Sequence, residues 1–137
     1  MRFSVPMLPP SVNHYKQMRR GGGMYLTKQA TAFADQTFLL SRGIMITGNF
    51  YEIDLTFYLG PKRQKLSSHD LDNFIKVAID ALARAHVISN DGRVIDLHVH
   101  KRFCSTERDE RTEFAVEGKQ IDERALFQQG ELPAPSR

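Results

Sequence analysis

Residues 49–59 alternate without a break, and this restricts the possible folds more than any other stretch. Tyr51, Ile53, Leu55, Phe57 and Leu59 fall on one face, and Glu52, Asp54, Thr56 and Tyr58 on the other. A period of two with one apolar side specifies a strand buried on one face. Two stretches have helical period instead. Thr27 suits the cap of a helix running to about Arg42 and closed by Gly43, with Ala30, Phe33, Ala34, Phe38 and Leu39 near helical spacing. A second helix, from Asp70 to about His86, puts Leu71, Phe74, Ile75, Ala78, Ala81, Leu82 and Ala85 on one broad face. Asp72, Asn73, Lys76, Asp80 and Arg84 occupy the other, with Val77 and Ile79 at the borders. Further strands are expected over residues 2–7, 93–103 and 112–117. The fold class is α+β: a single domain with a mixed sheet of about four to five strands and two main helices.

The segments between are read from turn chemistry. Pro9-Pro10-Ser11-Val12-Asn13-His14-Tyr15 is extended, because neither proline suits a helix or a central strand. Lys16, Arg19 and Arg20 precede Gly21-Gly22-Gly23, which reads as a mobile basic loop, either a plain solvated turn or an arm touching phosphates. Residues 60–69 form a second basic loop, carrying Lys62, Arg63 and Lys65. Residues 88–92 are a turn, and the charged turn at residues 107–111 is a hairpin loop without chemistry. From Gly118 the pattern fades, so residues 118–137 are expected to be a mobile or loosely docked tail.

Composition excludes several classes. The single cysteine, Cys104, allows no disulfide framework and no thiolate zinc site. No apolar run reaches membrane-spanning length and the N-terminus has no signal-peptide layout, so a cytoplasmic protein without a membrane partner is expected. Net charge is only +3, a mild lean toward anionic partners that the basic clusters sharpen. His98 and His100 share a strand face but lack a third ligand, which argues against zinc.

The chemistry concentrates in His69-Asp70-Leu71-Asp72-Asn73-Phe74-Ile75-Lys76. Carboxylates with open water positions suit hard divalent cations such as Mg²⁺ or Mn²⁺. Two residues apart within a helix, Asp70 and Asp72 would point about 200 degrees apart. With Asp70 as the N-cap they can approach one point. Lys76 lies about 40 degrees round from Asp72, as a plain i,i+4 partner or as a cation for charge growing on a phosphate. Asp91 follows the helix. A helix of about 24 Å keeps Asp91 from the first turn unless the chain doubles back, the helix ends early or a second subunit supplies it.

Taken together these segments resemble the RusA family of Holliday junction resolvases. Pro9-Pro10-Ser11-Val12-Asn13-His14-Tyr15 resembles its P-P-S-x-N-x-x-Y segment, with Tyr15 one place early. Asp70-Leu71-Asp72-Asn73, Lys76 and Asp80-Ala81-Leu82 resemble its D-L-D-N-x-x-K-x-x-x-D-A-L signature. Residues 87–91 followed by Val94 resemble its D-D-x-x-V turn, with Asn90 where a first aspartate is common. The resemblance implies a nuclease domain over residues 1–117 and a Mg²⁺-dependent, homodimeric endonuclease, common in bacteria and prophages. Such an enzyme resolves four-way DNA by paired symmetric cuts in recombination and repair, without an organic cofactor. It assigns metal binding to Asp70, Asp72 and Asp91, with Lys76 completing the catalytic set. Lys62, Arg63, Lys65, Lys16, Arg19, Arg20, Asn13 and His69 are the expected DNA contacts. The rival readings are a catalytically inactive junction binder and a metal phosphohydrolase of another substrate.

Overall fold

The computed structural model describes residues 1–11, 16–18, 21–64 and 71–128. Four strands form the main sheet: β1 (Arg2–Val5), β4 (Phe50–Leu59), β5 (Val94–Phe103) and β6 (Arg111–Lys119), in the order β1-β6-β4-β5. β4 runs antiparallel to β6 and parallel to β5, so the sheet is mixed. The expected α+β class with about four strands and two main helices is what the chain forms. A separate two-stranded ribbon pairs β2 (Lys16–Met18) with β3 (Met24–Leu26). The sequence suggested only a basic loop there. Gly21, Gly22 and Gly23 all take positive φ, so the triple glycine turns one short strand back onto the other.

The alternation in β4 is realised residue by residue. Tyr51, Ile53, Leu55, Phe57 and Leu59 are buried, and Glu52, Asp54, Thr56 and Tyr58 are half-buried on the opposite face. Helices α1 (Lys28–Ser41) and α2 (Asp72–Arg84) contribute to the same core. Phe33 of α1 meets Phe114 of β6 at 6.3 Å between ring centroids, and Phe74 of α2 meets Phe57 of β4 at 5.2 Å.

The Thr27 side chain caps α1 by accepting the Ala30 N–H at 3.3 Å. Arg42 and Gly43 both adopt left-handed φ at its end. The apolar face of α1 differs from expectation. Ala30 and Phe33 are buried, but Phe38 and Leu39 are exposed. Thr37 and Ser41 are buried instead, their hydroxyls donating to the Phe33 and Phe38 carbonyls within the helix. Satisfied this way, a hydroxyl can occupy an inward position that a hydropathy pattern assigns to a hydrocarbon.

Two parallel neighbouring strands require a crossover, and α2 is that crossover between β4 and β5. Phe74, Val77, Ala78, Ile79, Ala81 and Leu82 are its buried residues, so its inward face extends to the expected borders Val77 and Ile79. Beyond β6, the short helix α3 (Glu123–Gln128) completes the described chain. None of the described helices is long and apolar enough to cross a membrane.

Candidate active site

α2 begins at Asp72 with Leu71 before it, and the end of the helix decides where Asp91 goes. The helix stops at Arg84. His86 then takes a left-handed φ of 59°, which reverses the chain. Val87 and Ile88 are fully buried and pin the reversed segment to the core. The Val87 N–H donates to the Leu82 carbonyl, and the Val87 carbonyl accepts from the Ile46 N–H at 2.9 Å. Ser89 is held by Tyr51, whose hydroxyl oxygen accepts the Ser89 N–H at 3.1 Å and lies 3.0 Å from Ser89 Oγ. Asn90 Oδ1 accepts the Gly92 N–H at 2.8 Å and so caps the single turn Asp91–Arg93. The local turns and the long-range contacts to Ile46 and Tyr51 together double the chain back along α2.

The result is an open cleft of about 330 Å³ lined by Lys76, Ile79, Asp80, Asp91, Val94, Ile95 and Leu97. Asp91 and Lys76, which the sequence could not bring together by spacing, share this cleft. Asp72 is exposed on the first turn of α2 and is not among the lining residues. Lys76 Nζ lies 3.6 Å from Asp80 Oδ2, so its i,i+4 ion pair runs to Asp80. The Lys76 side chain is 55% exposed and that of Asp80 only 18%. The lysine thus reaches outward from a carboxylate that is itself partly withdrawn.

Asp80 was not singled out from the sequence as a site residue. The signal was present in its position four residues after Lys76, on the same helical face. Arg93 was missed too. Its Nη1 lies 3.1 Å from Glu123 Oε1 and donates to the Asn49 carbonyl at 3.4 Å, while its guanidinium stands 5.4 Å from the Phe50 ring centroid. Asn49 in turn holds Ile121 through both its N–H and its carbonyl, at 2.9 and 2.7 Å. Arg93 therefore ties the turn carrying Asp91 to the start of β4 and to α3.

The donor set in this region is carboxylate oxygen, which matches a hard divalent ion better than a soft one. Among the described residues no three acidic, histidine or cysteine side chains are grouped to hold a metal. Asp70, the remaining aspartate of the motif, lies outside the described residues, as do Asn13, Arg19, Arg20, Lys65 and His69. His98 Nε2 stands 3.7 Å from Glu52 Oε1 on the face of the sheet opposite the core.

Lys62 and Arg63 form part of a single turn, Pro61–Arg63, at the far end of β4. The Lys62 side chain is exposed. Arg63 Nε is 3.0 Å from Glu110 Oε2. Lys16 opens the β2–β3 ribbon and is exposed.

The family model described as endodeoxyribonuclease RusA matches residues 6–117 of the 137-residue chain. No curated protein matches it.

Proposed function

The chain belongs to the RusA endodeoxyribonuclease family, whose members resolve Holliday junctions, and on that premise we propose that it cuts four-way DNA by metal-assisted hydrolysis. The observation that carries this reading is the meeting of Asp91 and Lys76 in one cleft beside α2.

Asp70, Asp72 and Asp91 would hold Mg²⁺ or Mn²⁺, because all three offer hard oxygen donors. When bound, such an ion lowers the pKa of a coordinated water and offsets charge on the phosphate. Lys76 presents its ammonium over the cleft, where charge grows on the attacked phosphate or the leaving oxygen. Asp80 holds that ammonium toward the cleft. Asn90 orients Asp91 through the capped turn, so an asparagine serves this position without being a ligand.

The basic residues flanking the motif bind the phosphodiester backbone. Lys62, Arg63, Lys65, Lys16, Arg19, Arg20, Asn13 and His69 provide salt-sensitive contacts with little sequence preference. Paired symmetric cuts call for two such sites, and a two-fold homodimer meets that need. The work belongs to DNA recombination and repair in the cytoplasm of a bacterium or its prophage.

The test is cleavage of a labelled synthetic four-way junction with Mg²⁺, beside linear duplex, by wild type and Asp72→Asn. Paired cuts confined to the junction and lost in the variant are expected. Tight junction binding without cuts would show a binder, and cleavage of small phosphate esters instead of DNA would show a different hydrolase.

A further inference from the structure

The turn between β5 and β6 looks like a plain charged hairpin in the sequence. In the fold β4 lies between those two strands, so the turn is no hairpin, and two of its acids hold the start of the basic loop. Glu110 Oε2 accepts the Gly60 N–H at 2.8 Å and stands 3.0 Å from Arg63 Nε. Glu107 Oε1 accepts the Lys62 N–H at 2.7 Å. Gln64 Nε2 donates to the Cys104 carbonyl at 2.9 Å, and the Cys104 N–H donates to the Leu59 carbonyl at 3.0 Å. Five of the six residues at positions 59–64 are therefore held by residues 104–110. The fit at Gly60 is close, since a Cβ there would lie 2.8 Å from Glu107 Oε2 and 3.0 Å from Glu110 Cγ. The turn is fastened in its own right. Arg111 donates to the Asp109 carbonyl at 2.9 Å and its guanidinium lies 3.7 Å from the Tyr58 ring centroid.

This arrangement runs against simple electrostatics. Carboxylates placed among cations that grip a polyanion weaken the attraction. They are useful there if fixed geometry matters more than raw charge. A cation on a free loop follows phosphates wherever they lie and binds any DNA. A cation on a fixed backbone favours the DNA shape whose phosphates match its position.

We propose that Glu107 and Glu110 are positioning residues for DNA: they fix the backbone of residues 60–64 so that Lys62 and Arg63 favour a four-way junction over linear duplex. The proposal rests on the junction-cutting reading above and extends it to a turn outside the cleft.

The experiment compares affinity for a synthetic four-way junction and for duplex of equal length, with the metal withheld so that neither is cut. Wild type, Glu110→Ala, Glu110→Gln and Glu107→Gln are measured together with their thermal midpoints. Glu110→Ala adds net positive charge yet is expected to lower junction affinity by on the order of tenfold, the scale of lost hydrogen bonds to a charged group. Duplex affinity should hold or rise. Glu110→Gln keeps an acceptor for the Gly60 N–H and should retain part of the preference even if Glu110→Ala folds poorly.

A parallel rise in affinity for both DNAs would make the acids mere charge and overturn the proposal. So would a lowered thermal midpoint with an unchanged junction-to-duplex ratio in folded protein. A wild type with no junction preference overturns the junction reading and this proposal together. A wild-type preference that survives Glu110→Ala overturns this proposal alone.

Discussion

At the start of β4, Tyr51 and Asn49 organise the turn bearing Asp91; at its end, residues 59–64 carry the basic loop. The two ends are held by different mixes of contacts, the Asp91 end adding burial and neutral bonds to the exposed Arg93–Glu123 pair. Val87 and Ile88 are fully buried behind Asp91, and the Tyr51–Ser89 and Asn49–Ile121 contacts are neutral hydrogen bonds. The basic loop is held mainly by Glu107 and Glu110, with Arg63 41% exposed in its ion pair. Burial and neutral bonds resist salt, whereas exposed charge pairs are screened within about 10 Å at 0.1 M. The Asp91 end thus depends less on screened charge pairs than the basic loop does. Rigidity suits chemistry, and charge-held geometry suits recognition of a charged shape.

The strongest way to break this contrast acts on the cleft. Lys76→Ala is expected to slow single-turnover junction cleavage by roughly 10²–10³-fold, as for removal of one electrostatic catalytic group. Junction binding measured without metal should stay near wild type, which separates this variant from those of the basic loop. Ile88→Ala removes the apolar pin behind Asp91. It should cost about 2–5 kcal/mol in denaturant unfolding, as for other buried aliphatic truncations. Cleavage should fall with it while the fold persists.

Gly118→Ala tests the same end by overpacking, because a Cβ at Gly118 would lie 1.7 Å from the Thr47 carbonyl oxygen. A loss of about 1–3 kcal/mol in denaturant unfolding is expected. Tyr51→Phe removes the acceptor of the Ser89 N–H and should cost about 1–2 kcal/mol, with slower cleavage from a loosened Asp91 turn.

The smallest effects belong to the charged end. Glu107→Gln should change unfolding free energy by only about 0–1 kcal/mol. Cys104 reports on the same place. Partial burial, with Glu110 and Asp109 nearby, pushes its thiol above the usual value against the opposing pull of Arg111. Alkylation of Cys104 should therefore be slow at neutral pH and accelerate on the alkaline side. Glu110→Gln removes one of the raising influences, so its alkylation profile should move to lower pH. An unmoved profile would show that Glu110 does not act on this thiol.

Local stereochemistry made much of this legible from the sequence. The strand at residues 49–59 and its buried face follow from a period of two, because successive side chains on an extended backbone must point opposite ways. The Thr27 cap follows from the unpaired N–H groups at a helix start. The D-x-D-N motif, the lysine after it and the family they resemble were also on the surface of the sequence. The inward Thr37 and Ser41 were not, since hydropathy ignores a hydroxyl that bonds its own helix. Nor was the β2–β3 ribbon, whose strands are only three residues each.

By itself the sequence determined which residues are candidates for chemistry and which faces of β4 and α2 point inward, because both depend on residue type and on periods of a few residues. Only the tertiary structure decided that Asp91 returns to Lys76, that Arg93 reaches Glu123, and that Glu107 and Glu110 hold the basic loop. The longer of these contacts join residues up to 50 positions apart in the 137-residue chain. They exist because β5 lies parallel to β4 and β6 antiparallel on its other side. A parallel pair forces a crossover, and the place where that crossover reverses is set by packing rather than by any local pattern.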